Sequence, residues 1–157
     1  MTQNAEAAIT ALLTRYCTLL DSGRLDEIAE TIFTEDLEES HGVGMATSHG
    51  REQLTNWFKA ICANWEGSAH FITNIDIEVN GTTARSRCYF QAWHWFKSDE
   101  SRPSDRDVDL VTLGVYLDEL RLTEKGWRIA SRRRRNIGSS AIGMGKLPGA
   151  FQGLGGS

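Results

Sequence analysis

Apolar side chains recur every three to four residues along the first part of the chain, which is the spacing of one face of an α-helix. Over residues 4–21 this stripe consists of Ile9, Leu12, Leu13, Tyr16, Cys17 and Leu20. A second, shorter helix is predicted to restart after Gly23, in the stretch SGRLDEIAETIFTED, and a third to span Arg51–Trp65. Residues 37–50 contain glycines and little periodicity, so a short strand and a loop are expected there.

From residue 68 onward the period changes from 3.6 to 2, which is typical of strands with one buried face. The stretches SAHFITNIDIEV and TTARSRCYFQAWHWF flank Asn80-Gly81, a strong two-residue hairpin signal. After the polar stretch SDESRPSDRD, which reads as a loop, VDLVTLGVYLDELRL and GWRIASRRRR are predicted to form a second hairpin. The order of elements predicts an α+β fold, with three N-terminal helices packed on a curved, mostly antiparallel sheet that encloses a pocket.

The predicted domain covers residues 1–137. The remaining residues, 138–157, are rich in glycine and are expected to form an irregular tail or a lid over the pocket.

A carboxylate, Asp21, stands at the end of the apolar stripe of the first helix and is directed toward the same interior. An unpaired buried carboxylate is costly, so Asp21 needs a partner. His70, which opens the first long strand, is one candidate, and a carboxylate beside an imidazole would hold one tautomer and give a general base. The alternative is that Asp21 caps the turn at Ser22–Arg24 and His70 is a core histidine.

The composition indicates an ordinary globular domain. The net charge of −4 argues against a general nucleic-acid binder, and the three cysteines are odd in number and far apart, as in a reduced protein. The beginning of the chain has no positive leader and no long apolar run, so a cytoplasmic location without membrane attachment is expected. The four histidines lack metal-ligand spacing, and no nucleophile motif is present, so neither a metal nor another cofactor is expected.

The basic run SRRRRN contains Arg132–Arg135. In a strand, Arg132 and Arg134 would face one side and Arg133 and Arg135 the other. A solvated strand, a substrate contact from Arg132 and nucleic-acid binding are the three interpretations, in decreasing order of preference.

The segments RYCTLLDSGRLDEIAETIFTED and AHFITN resemble the SnoaL-like members of the NTF2-like superfamily, over approximately residues 5–136. These cone-shaped α+β proteins include polyketide cyclases, ketosteroid isomerase, scytalone dehydratase, bile acid 7α-dehydratase and hexachlorocyclohexane dehydrochlorinase. Tyr16 precedes Asp21 by the spacing of the bile acid dehydratase, and Trp127 precedes Arg132 by the spacing in the last strand of the dehydrochlorinase. Two departures are Tyr16, where the dehydrochlorinase has lysine, and Ala92, where the bile acid dehydratase has aspartate.

The resemblance implies the site residues. It gives catalytic roles to Asp21, His70, Tyr16 and His94, the two histidines matching those of scytalone dehydratase. It implies substrate contacts from Arg132 and from His41, which falls near a substrate-polarising tyrosine. It also favours a pocket wall on the second long strand, where we expect contacts from Tyr89, Phe90 and Trp93, with plain sheet packing as the alternative.

The predicted function is a cofactor-independent lyase of the dehydratase type, acting on a hydrophobic, oxygenated polycyclic or aromatic small molecule. His70 would remove a proton next to a carbonyl, Tyr16 would bind the carbonyl or leaving oxygen, and His94 or His41 would protonate the departing hydroxyl. A polyketide-type cyclase or double-bond isomerase with the same base is the first alternative. A non-catalytic ligand-binding or dimerisation module is the second. The resemblance also implies a homo-oligomer, a dimer or trimer.

Overall fold

A computed structural model describes residues 2–42, 44–98 and 108–141. These residues form three helices and six strands. In chain order the elements are α1 (Thr2–Asp21), α2 (Leu25–Thr31), β1 (Phe33–Ser40), β2 (Thr47–His49), α3 (Gly50–Cys62), β3 (Trp65–Asn80), β4 (Thr83–Phe96), β5 (Leu110–Thr123) and β6 (Gly126–Ala141). None of the helices in the described ranges is long and apolar enough to cross a bilayer.

The strands form one sheet in the order β2-β1-β6-β5-β4-β3. The four long strands pair antiparallel, as the two predicted hairpins require. Two further strands extend the sheet, where the sequence pattern predicted one short strand and a loop. β1 pairs parallel with β6 and antiparallel with β2. The predicted fold class, α+β with helices on a curved, mostly antiparallel sheet, is confirmed.

The second helix is shorter than predicted. It ends at Thr31, and Phe33–Ser40 is a strand, although its first residues lie in the stretch that we assigned to a helix. Ile32 and Phe33 are both fully buried, and the backbone N–H of Ile129 on β6 donates to the carbonyl of Ile32. Pairing with β6 thus overrides the local helical pattern.

The core lies between the helices and the inner face of the sheet. All six apolar positions of the predicted stripe on α1 are buried, which confirms the helical periodicity. On β4, alternate residues from Ala84 to Phe96 are buried, so this parity faces the helices and the other parity faces outward. These two faces decide which predicted residues can reach an interior site.

Gly114 on β5 allows an aromatic ring to lie flat on the inner face. A Cβ at this position would stand 2.4 Å from the ring of Phe90, so a larger residue would displace that ring. Phe90 stacks on Tyr116, with ring centroids 4.3 Å apart and an interplanar angle of 18°. The missing side chain at Gly114 therefore leaves room for two stacked aromatic rings from neighbouring strands in the wall of the interior.

Strand β6 continues to Ala141, four residues into the segment predicted as a tail. Residues 142–157, on which the prediction of a lid falls, lie outside the described residues, as do residues 99–107 of the predicted loop. The lid stays a prediction.

Candidate active site

The carboxylate of Asp21, the last residue of α1, lies against His70 on β3. Oδ1 is 2.6 Å from Nδ1 of His70 and accepts a hydrogen bond from Ser68 Oγ at 3.0 Å, and Oδ2 accepts one from the backbone N–H of His70 at 2.9 Å. Three hydrogen bonds from one strand thus fix the orientation of the carboxylate. His70 is therefore the partner that we expected for this carboxylate. The hydrogen bonds of Asp21 are with β3 and not with the turn after α1.

The pair has the electrostatic arrangement of a general base. The His70 side chain is 5% exposed and that of Asp21 is 29% exposed. Partial burial works to raise the pKa of Asp21, but the hydrogen bonds and charge of His70, with Ser68, bring the pKa below its ordinary value. Because the ionised carboxylate can only accept, Nδ1 carries the proton and Nε2 keeps its lone pair on the side of the ring away from Asp21.

His70 lines a cavity between the helices and the inner face of the sheet. The polar part of its wall consists of His70, His94, Thr112, Tyr16, Tyr116, Arg134 and Asn136. The apolar part includes Trp57, Phe58, Trp65 and Phe90. The volume open to the centres of water molecules inside this cavity is about 40 Å³. Wider grooves cross the outer face of the sheet, but these are open to solvent and rich in charged side chains.

His94 lies beside His70 in this wall, with ring centroids 5.4 Å apart. Burial lowers the pKa of His94 to about 3, and repulsion from His70 and Arg134 acts in the same direction against weaker opposing effects of Asp21 and the Leu110 backbone. His94 is therefore neutral at ordinary pH. It can offer a hydrogen bond to a ligand, but it does not hold the extra proton that an imidazolium acid would donate.

Acidification is expected to destabilise the fold through His94. The unfolded chain takes up this proton near pH 6.5 and the folded chain only near pH 3, so the unfolded state binds more protons between these values. The free energy of unfolding consequently falls as the pH decreases through this window. Denaturant titrations should show that His94→Gln removes about 3 kcal/mol of the fall between pH 7.5 and pH 4.5. His49→Gln, at an exposed histidine on β2, is the control, and an unchanged slope in the His94 variant would contradict the assignment.

Two buried phenols, Tyr16 on α1 and Tyr116 on β5, approach each other edge to face at 5.9 Å. Burial raises the pKa of each phenol, and that of Tyr16 is raised further by Tyr116 and Glu39 against the opposing charge of Arg132. Both therefore stay protonated and can act as hydrogen-bond donors in the cavity. Tyr116 was not predicted as a site residue.

Arg132, for which we predicted a substrate contact, does not line the cavity that contains His70. Its Nε and Nη2 donate to the two carboxylate oxygens of Asp118, both at 2.8 Å, and both side chains are 1% exposed. The central carbon of the guanidinium lies over the rings of Tyr16 and Tyr116, 4.4 Å and 4.2 Å from their centroids. Nε and Nη2 are thus directed at Asp118 in the core, and the buried Nη1 makes no hydrogen bond to a described residue.

Arg134, and not Arg132, is the inward-facing arginine of β6 that lines the cavity. The expected alternation is confirmed, since Arg132 and Arg134 face inward and Arg133 and Arg135 are exposed on the outer face. Arg134 lines the cavity, as does Asn136, whose buried Oδ1 accepts no hydrogen bond from the described residues. The parity of β6 could have identified both residues, because they share it with Arg132.

His41, for which we also predicted a substrate contact, does not line this cavity. It is fully buried, with Nε2 2.8 Å from Ser48 Oγ and Nδ1 3.6 Å from the carboxylate of Glu39. Its ring stacks on Trp57 at 3.6 Å, and Trp57 lines the cavity. His41 therefore supports the wall from behind.

Of the three aromatic residues predicted on β4, only Phe90 lines the cavity. Tyr89 and Trp93 have the opposite parity and lie on the outer face, so the structure does not bring them together with His70 in this cavity. Tyr89 accepts a hydrogen bond from Arg87 there, and Trp93 contacts Phe71 edge to face.

The cysteines are free thiols. Burial raises the pKa of Cys17 and Cys62 to about 12 and that of Cys88 to about 11, so none is an activated nucleophile. Within the described ranges, no group of three histidine, cysteine, aspartate or glutamate side chains is arranged to hold a metal ion.

A model of the SnoaL-like domain matches residues 2–133, most of the chain. The chain belongs to the SnoaL-like domain family. This SnoaL-like domain is 26% identical over 125 residues to the uncharacterised protein Rv2910c of Mycobacterium tuberculosis H37Rv, covering 79% of this chain and 80% of that protein. The resemblance to this family inferred from the sequence is confirmed.

Solved structures share the fold of this SnoaL-like domain. One, provisionally assigned as a scytalone dehydratase of Novosphingobium aromaticivorans, superposes with a TM-score of 0.74 at 23% identity, covering 90% of this chain and 94% of that chain. An NTF2-like protein with a cystatin-like fold from the same organism gives a TM-score of 0.68 at 25% identity, covering 99% and 92%. The predicted NTF2-like architecture is thus confirmed.

Proposed function

We propose that this SnoaL-like domain is a cofactor-independent dehydratase for a hydrophobic, oxygenated aromatic or polycyclic small molecule. The contact of 2.6 Å between Asp21 Oδ1 and His70 Nδ1, at the wall of an interior cavity, carries the proposal. Membership in the SnoaL-like family and the name of the scytalone dehydratase-like structure support the choice of dehydration.

The reaction begins with proton abstraction. Nε2 of His70 takes a proton from the carbon next to a substrate carbonyl, and the ionised Asp21 stabilises the imidazolium through Nδ1. The charge that develops on the carbonyl oxygen is stabilised by a phenol O–H of Tyr16 or Tyr116. Both phenols stay protonated because burial raises their pKa, so they are available as donors.

Loss of water completes the reaction. The C–O bond to the hydroxyl on the next carbon breaks, a C=C bond forms, and the departing oxygen needs one proton. His94 is a poor source of that proton because its pKa is about 3, and His41 is behind the wall. The imidazolium of His70 therefore returns the proton that it abstracted, which releases water and restores the base. This revises the acid that we assigned from the sequence.

An experiment with a β-hydroxy ketone fused to an aromatic ring tests this function. In H2O, mass spectrometry should show product lighter by one water molecule. In D2O, unreacted ketone should gain deuterium at the carbon next to the carbonyl. Deuterium uptake without loss of mass would replace dehydration by isomerisation or cyclisation with the same base. Bound ketone with neither change would identify a binding module and overturn the enzymatic proposal.

A further inference from the structure

The guanidinium of Arg134 lines the cavity without a carboxylate partner. Nε donates to the backbone carbonyl of His41 at 2.8 Å, Nη2 donates to the same oxygen, and Nη2 is 3.5 Å from Met45 Sδ. Its central carbon is 5.5 Å from the ring centroid of Trp57. In the described part of the chain, no aspartate or glutamate oxygen lies within 4 Å of this guanidinium.

The surroundings of Arg134 leave its positive charge uncompensated on the cavity side. No aspartate or glutamate is among the described residues of the cavity wall. Arg132 on the same strand has its own carboxylate in Asp118, and the carboxylate of Glu39 lies behind His41. Within the described wall, no carboxylate thus contacts Arg134, although the chain carries a net charge of −4. A half-buried charge without a partner is costly, and an anionic ligand would relieve that cost.

The hydrogen bonds to His41 occupy one edge of the guanidinium. The backbone carbonyl engages Nε and one N–H of Nη2, and Nη2 also donates to Met45 Sδ, a weak acceptor, at 3.5 Å. Nη1 makes no hydrogen bond to a described residue, so the edge formed by Nη1 and Nη2 is occupied only by this weak contact among the described residues. That edge has the planar geometry that matches the two oxygens of a carboxylate. A neutral carbonyl oxygen already holds the side chain in position, so the ligand does not have to order it.

The register of the sheet separates Arg134 from the base. Arg134 on β6 pairs with Tyr116 on β5, whereas His70 on β3 pairs with Ala92 on β4. Three interstrand spacings, about 14 Å along the sheet, lie between the strands of Arg134 and His70. The two side chains thus reach the cavity from different strands, so we infer that Arg134 contacts a part of the ligand other than the carbon that His70 attacks.

We propose that Arg134 binds a carboxylate on the substrate, at the end of the molecule opposite to the carbon that reacts. The ligand class is then a hydrophobic aromatic acid. This inference rests on the proposed function only in taking the cavity as the substrate site, and it does not depend on which reaction occurs there.

Binding of benzoate and benzamide to the full chain tests the proposal. The two probes share their ring and size and differ in charge, so their affinities report recognition of the anion. Isothermal titration should show roughly tenfold to 100-fold tighter binding of benzoate, and Arg134→Gln should remove that preference. Arg133→Gln makes the same charge change on the outer face and should leave the preference intact.

Three results would overturn the proposal. These are equal affinities of the wild-type chain for the two probes, a preference retained by Arg134→Gln, and a loss of preference in Arg133→Gln, which would place the anion on the outer groove. Gln keeps an amide N–H for the carbonyl of His41, and circular dichroism checks the fold. Arg134→Lys keeps the positive charge but lacks the two parallel N–H donors of the guanidinium, so it should retain part of the preference for benzoate. If a folded Arg134→Lys variant no longer binds benzoate, the result would support recognition by the two parallel donors.

The outcome separates this inference from the proposed dehydratase. A benzoate preference that needs Arg134, in a protein that dehydrates no ketone, supports the carboxylate site and rejects the reaction. Equal dehydration of a neutral β-hydroxy ketone by wild type and Arg134→Gln, without a benzoate preference, supports the reaction and rejects the site.

Discussion

Replacing His70 with glutamine is expected to slow turnover by about 10²–10⁴-fold, because the side chain that takes the proton is lost. Asp21→Asn should cause a loss of similar order, since the amide cannot stabilise the imidazolium as the ionised carboxylate does. The two side chains act as one unit, 2.6 Å apart. The double variant should therefore be no slower than the worse single variant by more than a small factor.

The chain contains a matched control for this pair. His49 on β2 lies 3.7 Å from the carboxylate of Glu38, and both side chains are more than half exposed. His49→Gln and Glu38→Gln make the same chemical changes in a histidine–carboxylate contact on the surface. They should leave the turnover number unchanged. Initial-rate kinetics with circular dichroism of each variant provide the measurement. A His70 variant that is folded and as fast as wild type would remove the proposed base.

Asp118→Ala is expected to lower the free energy of unfolding by about 3–5 kcal/mol. It removes the only carboxylate that Arg132 contacts among the described residues and leaves a guanidinium unpaired in the core. Burial acts to lower the pKa of Arg132, but Asp118 raises it well above the ordinary value, so the arginine keeps its charge. The cost arises from this isolated charge and not from the loss of favourable contacts alone.

Two further variants identify that cause. Glu119→Ala removes the neighbouring carboxylate, which is exposed and 3.9 Å from Arg85, and should cost less than about 1 kcal/mol. The double variant Asp118→Leu/Arg132→Met removes both charges and should recover much of the stability lost in Asp118→Ala. Chemical denaturation followed by tryptophan fluorescence gives all three values. Equal costs for Asp118→Ala and Glu119→Ala would contradict a core ion pair.

The sequence indicated the Asp21–His70 pair as one of two alternatives because both positions are set by local patterns. The apolar stripe on α1 fixed where Asp21 stands, and a costly charge beside a core has few ways to be satisfied. The hairpin signal at Asn80-Gly81 did not fix which face of β4 is inward, because β3 has a register shift between Thr73 and Asp76. The extra residue in β3 reverses the alternation of inward and outward side chains between the turn and His70. Counting from the turn therefore could not show whether Tyr89 or Phe90 faces the interior.

The roles of Arg132 and Arg134 could not be separated by periodicity. Both share one face of β6, and parity says nothing about what stands opposite each side chain. Asp118 on the neighbouring strand neutralises the first, while the second contacts a backbone carbonyl, the sulfur of Met45 and an aromatic ring, with no carboxylate among the described residues. Only the register of β5 against β6 places Asp118 beside Arg132. The parallel pairing of β1 with β6 likewise joins segments far apart in sequence, which no local pattern indicates.

The small free volume of the cavity has a kinetic consequence. The roughly 40 Å³ open to the centres of water molecules is far below the roughly 300–1,000 Å³ of typical small-molecule pockets, so an aromatic ligand does not fit this conformation. Association must then wait for an open conformation, and the measured affinity is reduced by the fraction of molecules that are open. Met45, whose unbranched thioether has several rotatable bonds, is the wall residue best suited to yield. The free energy of opening therefore contributes to selectivity, because it increases with the number of ligand atoms that the cavity must accommodate.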